Sequence, residues 1–336
     1  MKGNPCYVID KKLFLSILLS LYPLLVMKVI DGIENIKEKF SYPLLTIGNF
    51  DGVHLGHQTI FKMIVKRARE KNGTSIVFTF QPHPLRVISP EKAPRQLTTF
   101  QDKVELIRTF GIDYLICVNF TKEFSGIEAE DFVKDILVDI IGVKEIFIGS
   151  NYLFGKGRKG SPELLKRMGK EYGFKVMIVQ ELKINGMTIS SSKIRSLISK
   201  GKVEEASAFL GRPYSVDGTV IKGTKRGKSL LHIPTANLAT SSELLPGDGV
   251  YAVTVNLEGK TYRGAANIGY NPTFKEKRFS FEVHLLDFDR NILGKNLRIN
   301  FIKRLRNEIR FKGIQELAHQ MKKDIEAARV ILKDIN

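Results

Sequence analysis

The sequence predicts a chain of two parts: a doubly wound parallel α/β domain to about residue 210, then an antiparallel barrel or sandwich that ends in a helix. Three observations carry this. In the first part short apolar runs alternate with amphipathic stretches of helical length; in the second, strand-like runs follow one another across Gly, Asn and Pro turns. Between them, Gly211-Arg212-Pro213 is a turn signal where the periodicity changes. A length of 336 residues suits about two domains, each able to bury its own core.

Residues 1–26 precede the pattern. Lys11 and Lys12 introduce an apolar run from Leu13 to Val26, and its 14 residues fall short of a bilayer-spanning helix, which takes about 20. The run has the length of a signal-peptide core, but no small-x-small cleavage site follows it. Met27 then opens a strand-like segment and can itself serve as a start. The expectation is an extension foreign to the fold, with a membrane anchor or an extra packed helix as alternatives. The predicted divisions are 1–26, 27–210 and 211–336.

In the first part the strand candidates are 44–48, 75–80, 114–118, 144–149 and 175–180. Helical patterns at 58–70, 100–110, 130–141 and 162–172 lie between them, closed by Gly73, Gly111, Gly142 and Gly173. A helical pair, 191–199 and 203–210, ends the part. Ligands of such sheets sit beyond the carboxyl ends of the strands. In the second part the strand candidates are 214–221, 250–257, 260–264, 279–288 and 296–301. The last helix follows from Ile314, Leu317, Ala318, Met321, Ile325, Ala328 and Leu332, spaced three and four apart.

Two cysteines, Cys6 and Cys117, exclude a disulfide framework and a cysteine-based zinc site, and fit a reducing, cytoplasmic setting. The net charge of +18 suits nucleic acid, a membrane surface or phosphorylated small molecules. Its distribution narrows the choice. Residues 1–210 carry 31 basic and 22 acidic side chains and residues 211–336 carry 22 and 13, so neither part holds the excess. Without a basic stripe interleaved with aromatics, a nucleic-acid-binding protein is the lesser reading.

The string Gly48-Asn49-Phe50-Asp51-Gly52-Val53-His54-Leu55-Gly56-His57 follows the first strand and opens the first helix. A helix start presents unpaired N–H groups and a positive dipole end, and His54 and His57 lie one turn apart on one face. Two imidazoles there can bond a triphosphate and stabilise charge developing at its α-phosphorus. A single histidine is more often packed or solvated. A two-histidine metal site lacks a nearby Cys or further His to complete it.

The string resembles the HxGH signature of nucleotidylyltransferases, and in its longer form the adenylyltransferase half of bacterial bifunctional riboflavin kinase/FAD synthetases. Thr79 to Pro84 is similar to that family's TFxPHP element, with Gln81 where an acidic residue is common. Gly149 to Gly155 is similar to its Gx(D/N)xxFG loop, which implies that Asn151 contacts substrates. Ser190-Ser191-Ser192-Lys193-Ile194-Arg195 is similar to SSTxIR, with Ser192 keeping the hydroxyl of Thr. Hydroxyls at a helix start with an arginine one turn in also suit phosphate oxygens; alone they read as a capped helix with a surface arginine. The resemblance implies ATP and FMN contacts from Gly48, Phe50, Asp51, Gly56, Asn151, Ser191, Ser192 and Arg195.

In the second part Gly223 to Ser229 is not a Walker A loop, because only three residues separate Gly223 from Gly227 and no helix pattern follows. It remains a loop able to close over phosphates through Gly223 and Lys228, or a solvated hairpin. Pro234-Thr235-Ala236-Asn237 resembles the PTAN motif of riboflavin kinases, whose neutral oxygens imply Mg²⁺ and nucleotide binding by Thr235 and Asn237. Gly249 to Tyr251, Asn267 to Thr273 and Phe281 to Phe288 resemble the same kinase in order and spacing, which implies a barrel. Glu282 stands on an otherwise apolar strand, where an unpaired carboxylate is costly. The resemblance makes it the base for the riboflavin 5′-hydroxyl; a glutamate on the wet face of the strand is the alternative. His232 departs from the pattern, standing where Gly is usual. The expected enzyme makes FMN from riboflavin and ATP, then FAD and pyrophosphate from FMN and ATP. It acts on small molecules, without nucleic acid or membrane. One impaired half would leave a single activity.

Overall fold

A computed structural model describes residues 27–222, 233–270 and 279–335. The extension 1–26, the loop with Gly223, Lys228 and His232, and the segment Asn271 to Thr273 lie outside the described residues. The chain forms two compact units: one runs to Pro94 and again over Phe100–Leu182, and the other holds Arg95–Thr99 and everything from Lys183 onward.

The first unit is a six-stranded sheet of β1 (Lys28–Asp31), β2 (Pro43–Ile47), β3 (Thr74–Gln81), β4 (Tyr114–Asn119), β5 (Glu145–Gly149) and β6 (Lys175–Val179). All pairings are parallel, in the order β1-β4-β3-β2-β5-β6. Both faces are buried, so successive side chains enter different cores. Leu45, Ile47, Ile76, Phe78, Ile116 and Ile146 face the helices α3 (Phe132–Ile140) and α4 (Pro162–Tyr172). Leu44, Val77, Leu115 and Phe147 meet α1 (Leu55–Glu70) and α2 (Phe100–Arg108) through Phe61, Ile64, Val104 and Ile107. The chain builds outward from β2 through β3 and β4, then crosses to β5 and β6. The order therefore reverses between β2 and β5, the point where open α/β sheets bind ligands.

The second unit begins with a short hairpin, β7 (Lys183–Ile184) and β8 (Met187–Thr188), and the helices α5 (Ser191–Ser199) and α6 (Val203–Leu210). Six antiparallel strands then close into a barrel: β9 (Tyr214–Ile221), β10 (Ala236–Ala239), β11 (Gly249–Leu257), β12 (Lys260–Tyr270), β13 (Phe279–Leu285) and β14 (Asn296–Arg306), ordered β10-β13-β12-β11-β14-β9. The expected barrel is the one found. Glu258 and Gly259 join β11 to β12 in a two-residue turn, both at positive φ (50° and 78°), the twist that suits a tight hairpin. Phe301 anchors the interior, its ring 5.4 Å from Tyr251 and 6.3 Å from Phe281. Helix α7 (Ile314–Ile331) packs on the outside of β11, β12 and β14. Its inward face includes Asp324, which the apolar spacing did not mark, paired with Arg306. Helix α6 belongs to this compact unit because it buries Val203, Ala206, Phe209 and Leu210 and packs against β9 and β14.

Candidate active sites

The loop from Gly48 to Val53 joins the carboxyl end of β2 to the start of α1, beside the reversal of strand order. Three of its residues take positive φ: Phe50 at 48°, Gly52 at 79° and Val53 at 40°. That conformation is strained for a bulky or β-branched residue and persists only where the surroundings impose it. Here they do. Phe50, Asp51 and Val53 are all buried, and Phe50 packs 5.0 Å from Phe61 of α1. Gly48 leaves room for the Phe50 ring, which an added Cβ would meet at 3.0 Å.

His54 caps α1, its Nδ1 accepting from the His57 N–H at 3.4 Å. A neutral His54 therefore carries its proton on Nε2. The two rings stack with centroids 3.6 Å apart, and Phe50 meets His57 edge-on at 5.2 Å. Gly56 explains the spacing: a Cβ there would stand 3.2 Å from the His54 ring. Burial, then the neighbouring His54 and Lys103, hold the His57 imidazole well below the usual histidine range, so it is neutral near pH 7. Its Nδ1 is buried and has no hydrogen-bond partner among the described residues.

Two neighbours were given no role from the sequence: Lys103, which no motif covered, and His83, which lies in the TFxPHP-like element. Lys103 of α2 is buried beneath the loop; His83 caps the short helix Pro84–Ile88 through Nδ1, with its Nε2 3.3 Å from the Asn49 amide. Lys103 had a signal. It shares the face of Phe100, Val104 and Ile107, at positions three and four apart, so a helical reading already turns it inward.

Asn151 lies just past the carboxyl end of β5 and donates from Nδ2 to the Glu181 carboxylate at 3.1 Å. Ser191, Ser192 and Arg195 open α5 in the second unit. There the cap is Ser190, which accepts from the Lys193 N–H at 3.3 Å. Arg195 donates from Nε to the Arg95 carbonyl at 2.9 Å.

The barrel gathers a second polar cluster. Glu282 is half-buried on β13 and is not left unpaired: Thr235 donates to Oε2 at 3.1 Å and Ser280 to Oε1 at 2.8 Å. Asn237 on β10 and Asn267 on β12 stand opposite Glu282 in register. Directly paired residues share a face, so Asn237, Glu282 and Asn267 form one polar row across three strands. His284 donates from Nδ1 to the Pro234 carbonyl at 2.7 Å and pins the segment that carries Thr235. Ser280, His284 and Asn267 were missed as cluster members because only strand register brings them to Thr235 and Asn237.

Among the described residues no group of three or more His, Cys, Asp and Glu is arranged to hold a metal ion, and no helix is long and apolar enough to cross a membrane. A family model described as FAD synthetase matches residues 36–193, and one described as riboflavin kinase matches residues 210–332. The chain is 38% identical to a bifunctional riboflavin kinase/FMN adenylyltransferase of Buchnera aphidicola subsp. Schizaphis graminum, over 90% of this chain and 98% of that protein. It is 37% identical to the Escherichia coli K12 protein of the same description, over 90% and 97%. A crystal structure described as a macrolide-efflux protein from Streptococcus pneumoniae matches with a TM-score of 0.81 and 30% identity, over 90% of this chain and 99% of that one.

Proposed function

The chain belongs to the family of bifunctional riboflavin kinase/FMN adenylyltransferases, and from that premise we propose which of its residues carry each reaction. One reaction phosphorylates riboflavin with ATP to give FMN; the other joins FMN to the AMP part of ATP, giving FAD and pyrophosphate. Both are attacks on phosphorus. They differ in the nucleophile: a neutral hydroxyl needs a base, whereas the FMN phosphate is already anionic.

Adenylyl transfer is assigned to the start of α1. A neutral His57, His54 and the unpaired N–H groups of the helix would donate to phosphate oxygens as charge develops at the α-phosphorus. Gly48, Phe50, Asp51 and Gly56 shape that loop, and Asn151, Ser191, Ser192 and Arg195 are assigned to substrate phosphate and nucleotide contacts. This is positioning plus charge stabilisation.

Phosphorylation is assigned to the barrel, with Glu282 as the base for the 5′-hydroxyl. Hydrogen bonds from Thr235 and Ser280 hold that carboxylate in place. The oxygens of Thr235 and Asn237 beside a carboxylate are a hard donor set, which fits Mg²⁺ bound by few protein ligands together with substrate phosphates. When bound, Mg²⁺ would neutralise phosphoryl charge. The functional boundary is placed near residue 210, and the setting is cytoplasmic.

The observation that carries the assignment is the stacked His54–His57 pair at a helix start beside the strand-order reversal. Riboflavin, ATP and Mg²⁺ are incubated with each variant, and FMN and FAD are followed by chromatography. His57→Ala should slow FAD formation by about 10² to 10³, as for loss of an oxyanion donor, and FMN should accumulate. Glu282→Ala should slow FMN formation by about 10² to 10⁴ while added FMN still becomes FAD. If either change in a folded protein abolishes both steps, the division between two sites is wrong.

A further inference from the structure

We propose that Lys103 is a positioning residue for adenylyl transfer, its ammonium holding from beneath the loop that carries Phe50 and Asp51 into the start of α1. The inference rests on assigning adenylyl transfer to that helix start.

The geometry is specific. Lys103 Nζ donates to the Asn49 carbonyl at 3.2 Å and to the Thr79 hydroxyl at 3.3 Å, and that hydroxyl donates to the same carbonyl at 3.4 Å. The three groups close a triangle that uses two of the three ammonium N–H groups and the Thr79 hydroxyl proton. It ties α2 and β3 to the residue just before Phe50, where the chain turns to positive φ. The Phe100 ring lies 5.4 Å from the ammonium. Lys103 is only 7% exposed, on a helix face whose other members are apolar. Burying a charge there is costly, and a Leu or Met would fill the place without that cost. What the apolar residue could not do is grip a strained loop by its carbonyl. A shift of the order of 1 Å in a reacting group can cost about 10²-fold in rate.

The ammonium also acts on the imidazoles. His57 faces His54 from its own helix start and Lys103 from α2; Lys103 in turn faces Asp51 from the loop and Cys117 from β4, and Cys117 faces Asp31 of β1. Burial pulls Lys103 below the usual lysine range, against which Cys117, once ionised, and Asp51 act, and burial pushes the Cys117 thiol up to about 11, so near pH 7 the thiol itself is neutral. Removing the positive neighbour makes His57 easier to protonate. Burial, the larger cause, still holds it low.

The test uses the full chain with Lys103→Met, Lys103→Gln and His57→Ala. Steady-state FMN adenylylation is measured from pH 5.5 to 8.5, with riboflavin kinase activity and thermal unfolding on the same samples. Lys103→Met is expected to lower kcat of adenylylation by about 10- to 100-fold, with kinase activity within twofold and Tm unchanged or raised. The acid limb of its adenylylation profile should move to higher pH. Adenylylation by Lys103→Met within twofold of the parent, while His57→Ala is impaired, overturns the proposal and leaves the site assignment standing. Unimpaired adenylylation in His57→Ala overturns both. A lowered Tm with an unmoved pH profile, or failure of both lysine variants to fold, makes Lys103 a structural residue and also overturns it.

Discussion

His57 combines two features that ordinarily exclude one another, a polar atom buried without a partner among the described residues and a place at the helix start to which adenylyl transfer is assigned above. Its cost is measurable. The folded imidazole resists protonation, while in the unfolded chain it takes a proton near the ordinary histidine value of about 6.5. Its folded value is depressed, so the unfolded chain binds more protons as pH falls below 6.5, and stability falls with it. Urea unfolding at pH 7.5 and 5.5 should show a loss that is smaller in His57→Ala. Gly56 offers a gentler probe. Because a Cβ would stand 3.2 Å from the His54 ring, Gly56→Ala should displace that ring and slow FAD formation about tenfold. Kinase turnover in the same sample should not change; an equal loss of both would point to misfolding.

Among the elements, α7 is held to the barrel by a pair that apolar periodicity does not mark. Arg306 of β14 donates from Nε to Asp324 Oδ1 at 2.9 Å and Oδ2 at 3.1 Å and from Nη2 to Oδ2 at 2.7 Å, and Gln320 Nε2 donates to Oδ1 at 2.9 Å. The Asp324 side chain is 8% exposed, so removing the arginine strands a buried carboxylate. Arg306→Met should cost about 3 kcal/mol, read from urea unfolding. Adding Asp324→Leu should recover most of the loss, since an apolar pair often replaces a buried ion pair at little cost. If the double variant is no more stable than the single one, the pair supplies more than charge compensation.

For the whole molecule, both sets of family motifs and both family-model matches lie after residue 26. A protein starting at Met27 should be soluble and retain both activities, measured by the same chromatographic assay. Loss of either activity would bring the extension into the working enzyme.

Several things were legible in the residues alone. Short apolar runs between helical stretches pointed to the parallel sheet, because both faces of such a sheet are buried and the chain must cross over between strands. The turn-separated strands after Pro213 pointed to an antiparallel unit, and the short-range string Gly48 to His57 marked a candidate site in the first unit because a helix start and two imidazoles one turn apart are local geometry. Motif resemblance turned barrel-or-sandwich into barrel. The rest depended on distance in the fold. Lys103 reaches Asn49 and Thr79 across 54 and 24 positions, and Thr235 reaches Glu282 across 47. Such pairings arise from sheet order and strand register, which no local pattern encodes. Glu282 was marked as an oddity of its strand, but the hydroxyls that hold it came only with register. Tertiary packing likewise placed α5 and α6 with the barrel, since α6 buries its apolar face there. The sequence determined which groups could do the chemistry; the closed tertiary structure decided which of them stand together, because burial and register act between residues far apart in the chain.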